Sequence, residues 1–102
     1  MPRKGEKVSF DYDGTISTKK GTDLAQSFID DGATVYIISA RSTSSKLNEK
    51  ADEIDIPRSR VYATGSNKAK VEKIKELEID IHYDNNQSVI DELGDIGRIF
   101  KA

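Results

Sequence analysis

Five clusters of apolar residues recur along the chain at fairly even spacing and predict five β-strands. The second cluster, residues 33–38, is β-branched and almost unbroken, which is typical of a strand covered on both faces. The third, residues 60–63, is shorter and more polar, which indicates an edge strand. The remaining clusters are residues 8–10, 79–83 and 97–100.

Between these clusters, apolar residues recur at the three- and four-residue spacing of amphipathic helices. The first pattern stops at Asp31-Gly32, the second cannot continue far past Pro57, and the last ends at Gly94. The apolar positions, helix by helix, are Leu24, Ala25, Phe28 and Ile29; Leu47, Ala51 and Ile54; Val71, Ile74 and Leu77; Val89, Ile90 and Leu93.

Strands and helices therefore alternate from one end of the sequence to the other. Such alternation predicts an α/β fold in which parallel strands are joined by right-handed crossovers and covered by helices on both faces. We expect a three-layer α/β/α, Rossmann-like domain that spans residues 1–102, because no repeat, linker or low-complexity tract divides the chain.

Composition narrows the chemistry that the domain can carry. The chain has 102 residues, 16 basic and 18 acidic side chains and a net charge of −2, which argues against a dedicated DNA- or membrane-binding protein. No cysteine and one histidine exclude thiolate chemistry and zinc sites built from several imidazoles. No apolar run approaches the roughly 20 residues of a membrane span, and none resembles a signal peptide, so we expect a cytoplasmic protein.

Polar residues follow each of the first four predicted strands, where parallel sheets place their active sites. Three carboxylates, a hydroxyl and a lysine thus converge on one sheet edge. In chain order these residues are Asp11, Asp13, Gly14 and Thr15; Ser39, Ala40 and Arg41; Thr64, Gly65 and Ser66, leading to Lys68 and Lys70; Asp84, Asn85 and Asn86.

This set of motifs resembles the haloacid dehalogenase (HAD)-like phosphohydrolase superfamily. Residues 8–16, VSFDYDGTI, are similar to that family's first motif, an apolar strand followed by Asp-x-Asp-Gly-Thr. Residues 35–39 resemble the second motif, a lysine at the start of the next helix resembles the third, and residues 81–84 resemble the fourth. The resemblance extends over residues 7–100, includes short members encoded by phages and bacteria, and implies a five-stranded sheet of order 5-4-1-2-3.

The resemblance implies hydrolysis of a phosphate monoester through an aspartyl-phosphate. Asp11 would be the nucleophile, and Asp13 would protonate the leaving oxygen and then activate water. Ser39 and a lysine would hold the phosphoryl oxygens. We expect the backbone and side chains of four further residues to contact substrate: Gly14, Thr15, Ala40 and Arg41.

The resemblance also implies a Mg²⁺ ion held by hard oxygen ligands. The expected ligands are Asp11, Asp84, the carbonyl of Asp13 and Asn85. The fourth motif commonly supplies a second acid, but here Asn85 follows Asp84 and the next acid is Asp91. A neutral ligand in that place predicts modest affinity for the metal.

Two lysines are candidates for the phosphate-binding role. At 100° per residue, Lys70 falls within the arc of the apolar residues of its helix, whereas Lys68 lies outside that arc but nearer the helix start. The phase argument favours Lys70. His82 alternates with Ile81 and Tyr83, and we interpret it as a packed strand residue rather than a catalyst.

The connections leave no room for a cap domain, because residues 16–21 and 39–60 suffice only for a loop and a crossover helix. An uncovered site favours a bulky substrate such as a phosphate on a polynucleotide end or on a protein. The alternative is a non-enzymatic HAD-like scaffold for binding or assembly, for example in a phage particle.

Overall fold

The computed structural model describes residues 5–102 and has the predicted alternation of strands and helices. Short turns connect several of the elements, at Tyr12–Ile16, Arg58–Arg60 and Gly94–Ile96. The strands and helices in chain order are β1 (Lys7–Phe10), α1 (Lys19–Asp30), β2 (Thr34–Ser39), α2 (Ser45–Glu53), β3 (Val61–Ala63), α3 (Asn67–Glu76), β4 (Ile81–Asp84), α4 (Gln87–Leu93) and β5 (Gly97–Ile99).

The five strands form one parallel sheet of order β3-β2-β1-β4-β5. This is the predicted order 5-4-1-2-3 read from the opposite edge, so the predicted α/β fold is confirmed. β1 lies at the centre, as the family resemblance implied, and β3 lies at an edge, as the shorter and more polar third cluster indicated. The carboxyl ends of β1, β2 and β4 therefore meet in the middle of one sheet edge.

Apolar side chains of the sheet enter two separate cores, one on each face of the sheet. Val8 and Phe10 of β1 lie in the core beneath α1 and α2, together with Val35 and Ile37 of β2. Ile38 of β2 faces the other way, into the core beneath α3 and α4. Helices thus cover both faces of the sheet, as expected of a doubly wound fold.

Several strand boundaries differ by one or two residues from those predicted, because main-chain pairing rather than side-chain polarity sets where a strand ends. Ser39 pairs with Ala63 and Asp84 with Ile99, so both polar residues belong to their strands. Ile79 is buried but precedes β4, and its N–H donates to Ile74 O at 3.2 Å at the end of α3.

The loop expected over residues 16–21 is shorter in the structure, because α1 begins at Lys19. Thr18 caps the helix by accepting the Gly21 N–H at 3.0 Å. A Cβ on Gly21 would lie 1.8 Å from the carbonyl oxygen of Thr15. The glycine therefore allows α1 to pack directly on the turn that carries Asp13 and Gly14.

None of the helices within residues 5–102 combines the length and the hydropathy that a membrane span requires.

Candidate active site

Lys70 joins two carboxylates at the carboxyl edge of the sheet. Its Nζ lies 3.1 Å from Asp11 Oδ1 and 2.7 Å from Asp84 Oδ2. The three side chains are almost completely buried, with 2% of Lys70, 5% of Asp11 and 0% of Asp84 exposed. Buried charges are stable only when they are paired and hydrogen-bonded, so the pairing of these three side chains is part of the folded structure.

The fold places these three residues together for simple reasons. β1 and β4 are adjacent and in register, with Ser9 opposite His82, so the residues two positions further on, Asp11 and Asp84, also lie side by side. Lys70 lies in the first turns of α3, whose N-terminus Ser66 caps by accepting the Ala69 N–H. The structure thus brings Lys70 to the carboxylates, where the helical phase placed it.

The cluster carries an excess of negative charge. Burial and the neighbouring charge of Asp84 raise the pKa of Asp11 to about 6, against a smaller opposing effect of Lys70. Burial also raises the pKa of Asp84, but hydrogen bonds from His82 and Lys70 outweigh it and hold that pKa below its ordinary value. With His82 neutral, two carboxylates and one ammonium leave a net charge of −1, which an additional cation would offset.

Asp13 is turned away from the cluster and pairs with Arg41 at the rim. The guanidinium donates to both carboxylate oxygens, at 2.9 Å from Nε and 2.7 Å from Nη2, and lies over the ring of Tyr12. The hydrogen bond from Arg41 holds the pKa of Asp13 below its ordinary value. Both side chains are well exposed, so the pair is accessible to a ligand and partly screened by solvent.

An open pocket of about 320 Å³ lies between the cluster and the rim. The side chain of Asn85 packs against Gly14, where a Cβ would lie 2.3 Å from Asn85 Nδ2, and Gly14 itself has a positive φ of 71°. Seven of its nine lining residues have polar side chains; the nine are Asp11, Asp13, Gly14, Ala40, Asn67, Lys70, Asp84, Asn85 and Asn86.

Several predicted site residues lie elsewhere or are already engaged. Thr15 is buried beneath the pocket and does not line it. Ser39 is also buried, and its Oγ accepts the N–H of Arg41 at 3.1 Å. Lys68 is exposed on the far side of α3, in a groove between α3 and α4 that Glu72 and Glu92 also line. The geometry therefore provides Lys70, and not Lys68, for contact with a bound anion.

Behind the pocket lies a row of hydrogen-bonded polar side chains that the sequence did not predict. Ser9 Oγ lies 2.6 Å from His82 Nδ1, and His82 Nε2 lies 3.0 Å from Asp84 Oδ2. Burial lowers the pKa of His82, more than its hydrogen bond to Asp84 raises it. His82 is packed in its strand, as interpreted, but it also contacts a site residue. The spacing of two between His82 and Asp84 was the available signal, since residues i and i+2 of a strand share a face.

The carboxylate oxygens at this site suit a metal ion that keeps most of its water ligands. Residues 5–102 contain no group of three or more His, Asp or Glu side chains placed to hold a metal. Two carboxylates remain, on Asp11 and Asp84, and Lys70 bonds Oδ1 of Asp11 and not its Oδ2. Mg²⁺ is commonly bound through one or two carboxylates and several waters, so the residues fit Mg²⁺ in that form.

Comparisons of the chain with protein-family models, curated proteins and solved structures gave no significant match. The function is therefore argued from the geometry of this pocket.

Proposed function

We propose that the chain is a HAD-like phosphohydrolase that cleaves phosphate monoesters with the aid of Mg²⁺. The observation that supports this most directly is the position of Lys70, which bridges Asp11 and Asp84 beside an open pocket. A buried cation next to an available carboxylate oxygen is the arrangement that phosphoryl transfer needs, because the enzyme must balance the charge of the phosphate and present a nucleophile.

In the proposed reaction, Asp11 Oδ2 attacks phosphorus and the bond from phosphorus to the ester oxygen breaks. Asp13 gives a proton to the leaving oxygen, so that an alcohol and an aspartyl-phosphate form. Asp13 then takes a proton from a water molecule as that water attacks phosphorus. The bond to Asp11 breaks, and phosphate leaves. Lys70 stays within reach of the phosphoryl oxygens in both steps.

One ion pair must open before this reaction can proceed. Arg41 occupies both oxygens of Asp13, so their ion pair must open before Asp13 can hold a proton for the leaving group. The guanidinium released in this way becomes available to the substrate phosphate, for which its fork of donors is suited. Arg41 would thereby contact substrate, as its place after β2 suggested.

The ligands proposed for Mg²⁺ are the carboxylates of Asp11 and Asp84, the carbonyl oxygen of Asp13 and the side-chain oxygen of Asn85. Bound Mg²⁺ would supply positive charge to a phosphoryl oxygen and offset the excess negative charge of the cluster. The side chain of Asn85 would need to present its oxygen to the ion, whereas its Nδ2 now faces Gly14.

The open pocket also supports a proposal about the substrate. Asp13, Asn67 and Asn85 are exposed around it, and the described residues include no inserted segment that covers it. We propose a phosphate on a bulky carrier, such as a polynucleotide end or a protein, as the substrate, in the cytoplasm.

A generic aryl phosphate and MgCl₂ test the proposed reaction most directly. Wild type should release phosphate only with Mg²⁺, and Asp11→Asn should abolish that release while retaining the fold. Asp23→Asn is the matched control, because Asp23 is an exposed aspartate on α1 that pairs only with Lys19. Phosphate release by Asp11→Asn would refute the assignment of Asp11 as the nucleophile. Absence of both hydrolysis and a beryllium fluoride adduct in wild type would favour the scaffold alternative.

A further inference from the structure

His82 is a buried ionisable side chain that the proposed reaction leaves without a role. It is 0% exposed and bonded at both ring nitrogens, to Ser9 Oγ at 2.6 Å and to Asp84 Oδ2 at 3.0 Å. Ser9 is likewise 0% exposed and lies opposite His82 in the register of β1 and β4. Two adjacent strands thus place polar side chains at interior positions. These side chains form a row of hydrogen bonds that ends on Asp84, a proposed metal ligand.

The hydrogen bonds determine which atoms carry protons. An ionised carboxylate only accepts, so the contact with Asp84 requires a proton on His82 Nε2. In a neutral imidazole Nδ1 is then an acceptor, and the hydroxyl of Ser9 donates to it. Asp84 therefore selects the tautomer, and the Ser9 hydroxyl satisfies Nδ1 of that tautomer and holds the ring in place.

The same bonds determine which oxygen of Asp84 is available. Oδ2 accepts from both Lys70 Nζ and His82 Nε2, whereas Oδ1 accepts, among residues 5–102, only the backbone N–H of Asn86, at 3.0 Å. Two donors on Oδ2 prevent the carboxylate from rotating to exchange its oxygens. Oδ1 is left with a lone pair for a ligand.

We propose that His82, oriented by Ser9, is a positioning residue that fixes the Asp84 carboxylate so that Oδ1 is presented to a bound divalent cation. This inference rests on the proposed function, in which Asp84 is a ligand of Mg²⁺. Partners that orient a metal ligand in this way commonly change metal affinity by about 10- to 100-fold when they are removed.

Two substitutions separate the donor to Asp84 from the packing of the ring. His82→Gln can place an amide N–H near the position of Nε2 and so keep a donor to Asp84. His82→Asn reaches only the position of Nδ1 and leaves Asp84 Oδ2 with Lys70 alone. Both substitutions are neutral and polar, and both shorten or narrow the side chain, so thermal melting and circular dichroism should show the fold retained in each.

The measurements are NMR titration with MgCl₂ alone and the ¹⁵N shifts of the imidazole. The chain has one histidine, so the ring signals need no assignment. We expect wild type to show the Nε2–H tautomer, His82→Asn to bind Mg²⁺ about 10- to 100-fold more weakly, and His82→Gln to bind it nearly as tightly as wild type.

Four results would overturn the inference. An Nδ1–H tautomer in wild type would contradict the assigned hydrogen bonds. Wild-type affinity in both variants would show that His82 only packs the strand, and equal losses in both would show that its volume matters and its donor does not. Wild type that binds no Mg²⁺ would refute the proposed metal site itself, and that failure is visible without any variant.

Ser9→Ala is the second test, and it avoids any change to the ring. Loss of the hydroxyl should leave His82 Nδ1 without its hydrogen bond, hold the ring less firmly and weaken Mg²⁺ binding in a folded protein. If the imidazole shifts and the affinity for Mg²⁺ both stay at their wild-type values, Ser9 does not orient His82.

Discussion

Arg41 donates hydrogen bonds to both carboxylate oxygens of Asp13, at 2.7 and 2.9 Å, across the mouth of the pocket. The two residues come from the segments that follow β1 and β2, so their ion pair ties together the two loops that frame the site. The same guanidinium lies over the face of the Tyr12 ring, with Cζ of Arg41 5.0 Å from the ring centroid. The pair therefore controls both the charge state of Asp13 and the shape of the rim.

Replacement of Arg41 by Gln should raise the pKa of Asp13 toward that of an ordinary aspartate, because the hydrogen bonds from the guanidinium are the main cause of its depression. The side-chain ¹³C signal of Asp13, followed from pH 2 to 7, measures the shift. Arg58→Gln is the matched control, since Arg58 holds Asp52 in a similar exposed two-point pair. An unchanged Asp13 titration in Arg41→Gln would mean that the pair is open in solution.

Asp11→Asn should stabilise the fold in a pH-dependent way. Asp11 has a folded pKa of about 6 against 3.8 when unperturbed, so the native state binds more protons between those values and loses stability as pH rises through them. The asparagine of Asp11→Asn does not titrate in this range, so the variant does not lose this stability as pH rises. We expect little difference from wild type below pH 4 and a gain of up to about 3 kcal/mol above pH 6, at 1.36 kcal/mol per pKa unit.

Urea unfolding of Asp11→Asn and wild type at pH 4, 5, 6 and 7 measures this profile. Asp23→Asn should show no such growth in stability over the same range. A constant difference between Asp11→Asn and wild type at every pH would show that the pKa of Asp11 is not raised by the fold.

Lys70→Ala should be far more damaging than Lys68→Ala. Loss of Lys70 leaves two buried carboxylates without their cation, a change that typically costs about 3–5 kcal/mol. Lys68 is exposed, and its loss should change stability by no more than about 0.5 kcal/mol. Denaturant unfolding measures both effects, and turnover of an aryl phosphate should fall more in Lys70→Ala. Equal effects of the two substitutions would contradict the buried role of Lys70.

The sequence was informative wherever periodicity decided the structure. The spacing of Val71, Ile74 and Leu77 placed Lys70 on the inner side of α3, and the structure has its Nζ between Asp11 and Asp84. The alternation of apolar clusters and helical patterns likewise predicted the parallel sheet, whereas its strand order was implied by the family resemblance.

The sequence was uninformative where contacts between distant segments decided the structure. Asp13 and Arg41 are 28 residues apart, and no periodicity indicates that the two loops bring them into contact. The partner of His82 at Nδ1 was hidden for a similar reason, because Ser9 lies 73 residues away and faces it only through the register of β1 and β4. Contacts of this kind depend on strand neighbours, which local patterns do not encode.

Asp13→Asn should separate the two steps of the proposed reaction. Asp11 remains as the nucleophile, and an aryl leaving group needs little help from an acid, so a first turnover should occur. The aspartyl-phosphate should then persist because no base activates water, and general acid–base assistance is typically worth about 10²–10⁴-fold in rate. Stability should change little, since Asp13 is exposed and contributes no core packing.

Rapid-quench kinetics with an aryl phosphate would show a burst of aryl alcohol followed by slow steady-state release, and acid quenching would recover phosphate bound to the protein. An alkyl phosphate, whose leaving group requires protonation, should give no burst. Asp52→Asn serves as the control, because it breaks a comparable exposed pair with Arg58 away from the pocket and should behave as wild type. Steady-state hydrolysis by Asp13→Asn at the wild-type rate for both substrates would remove Asp13 from the mechanism. A burst with the alkyl phosphate would instead assign the proton donor to another group at the rim.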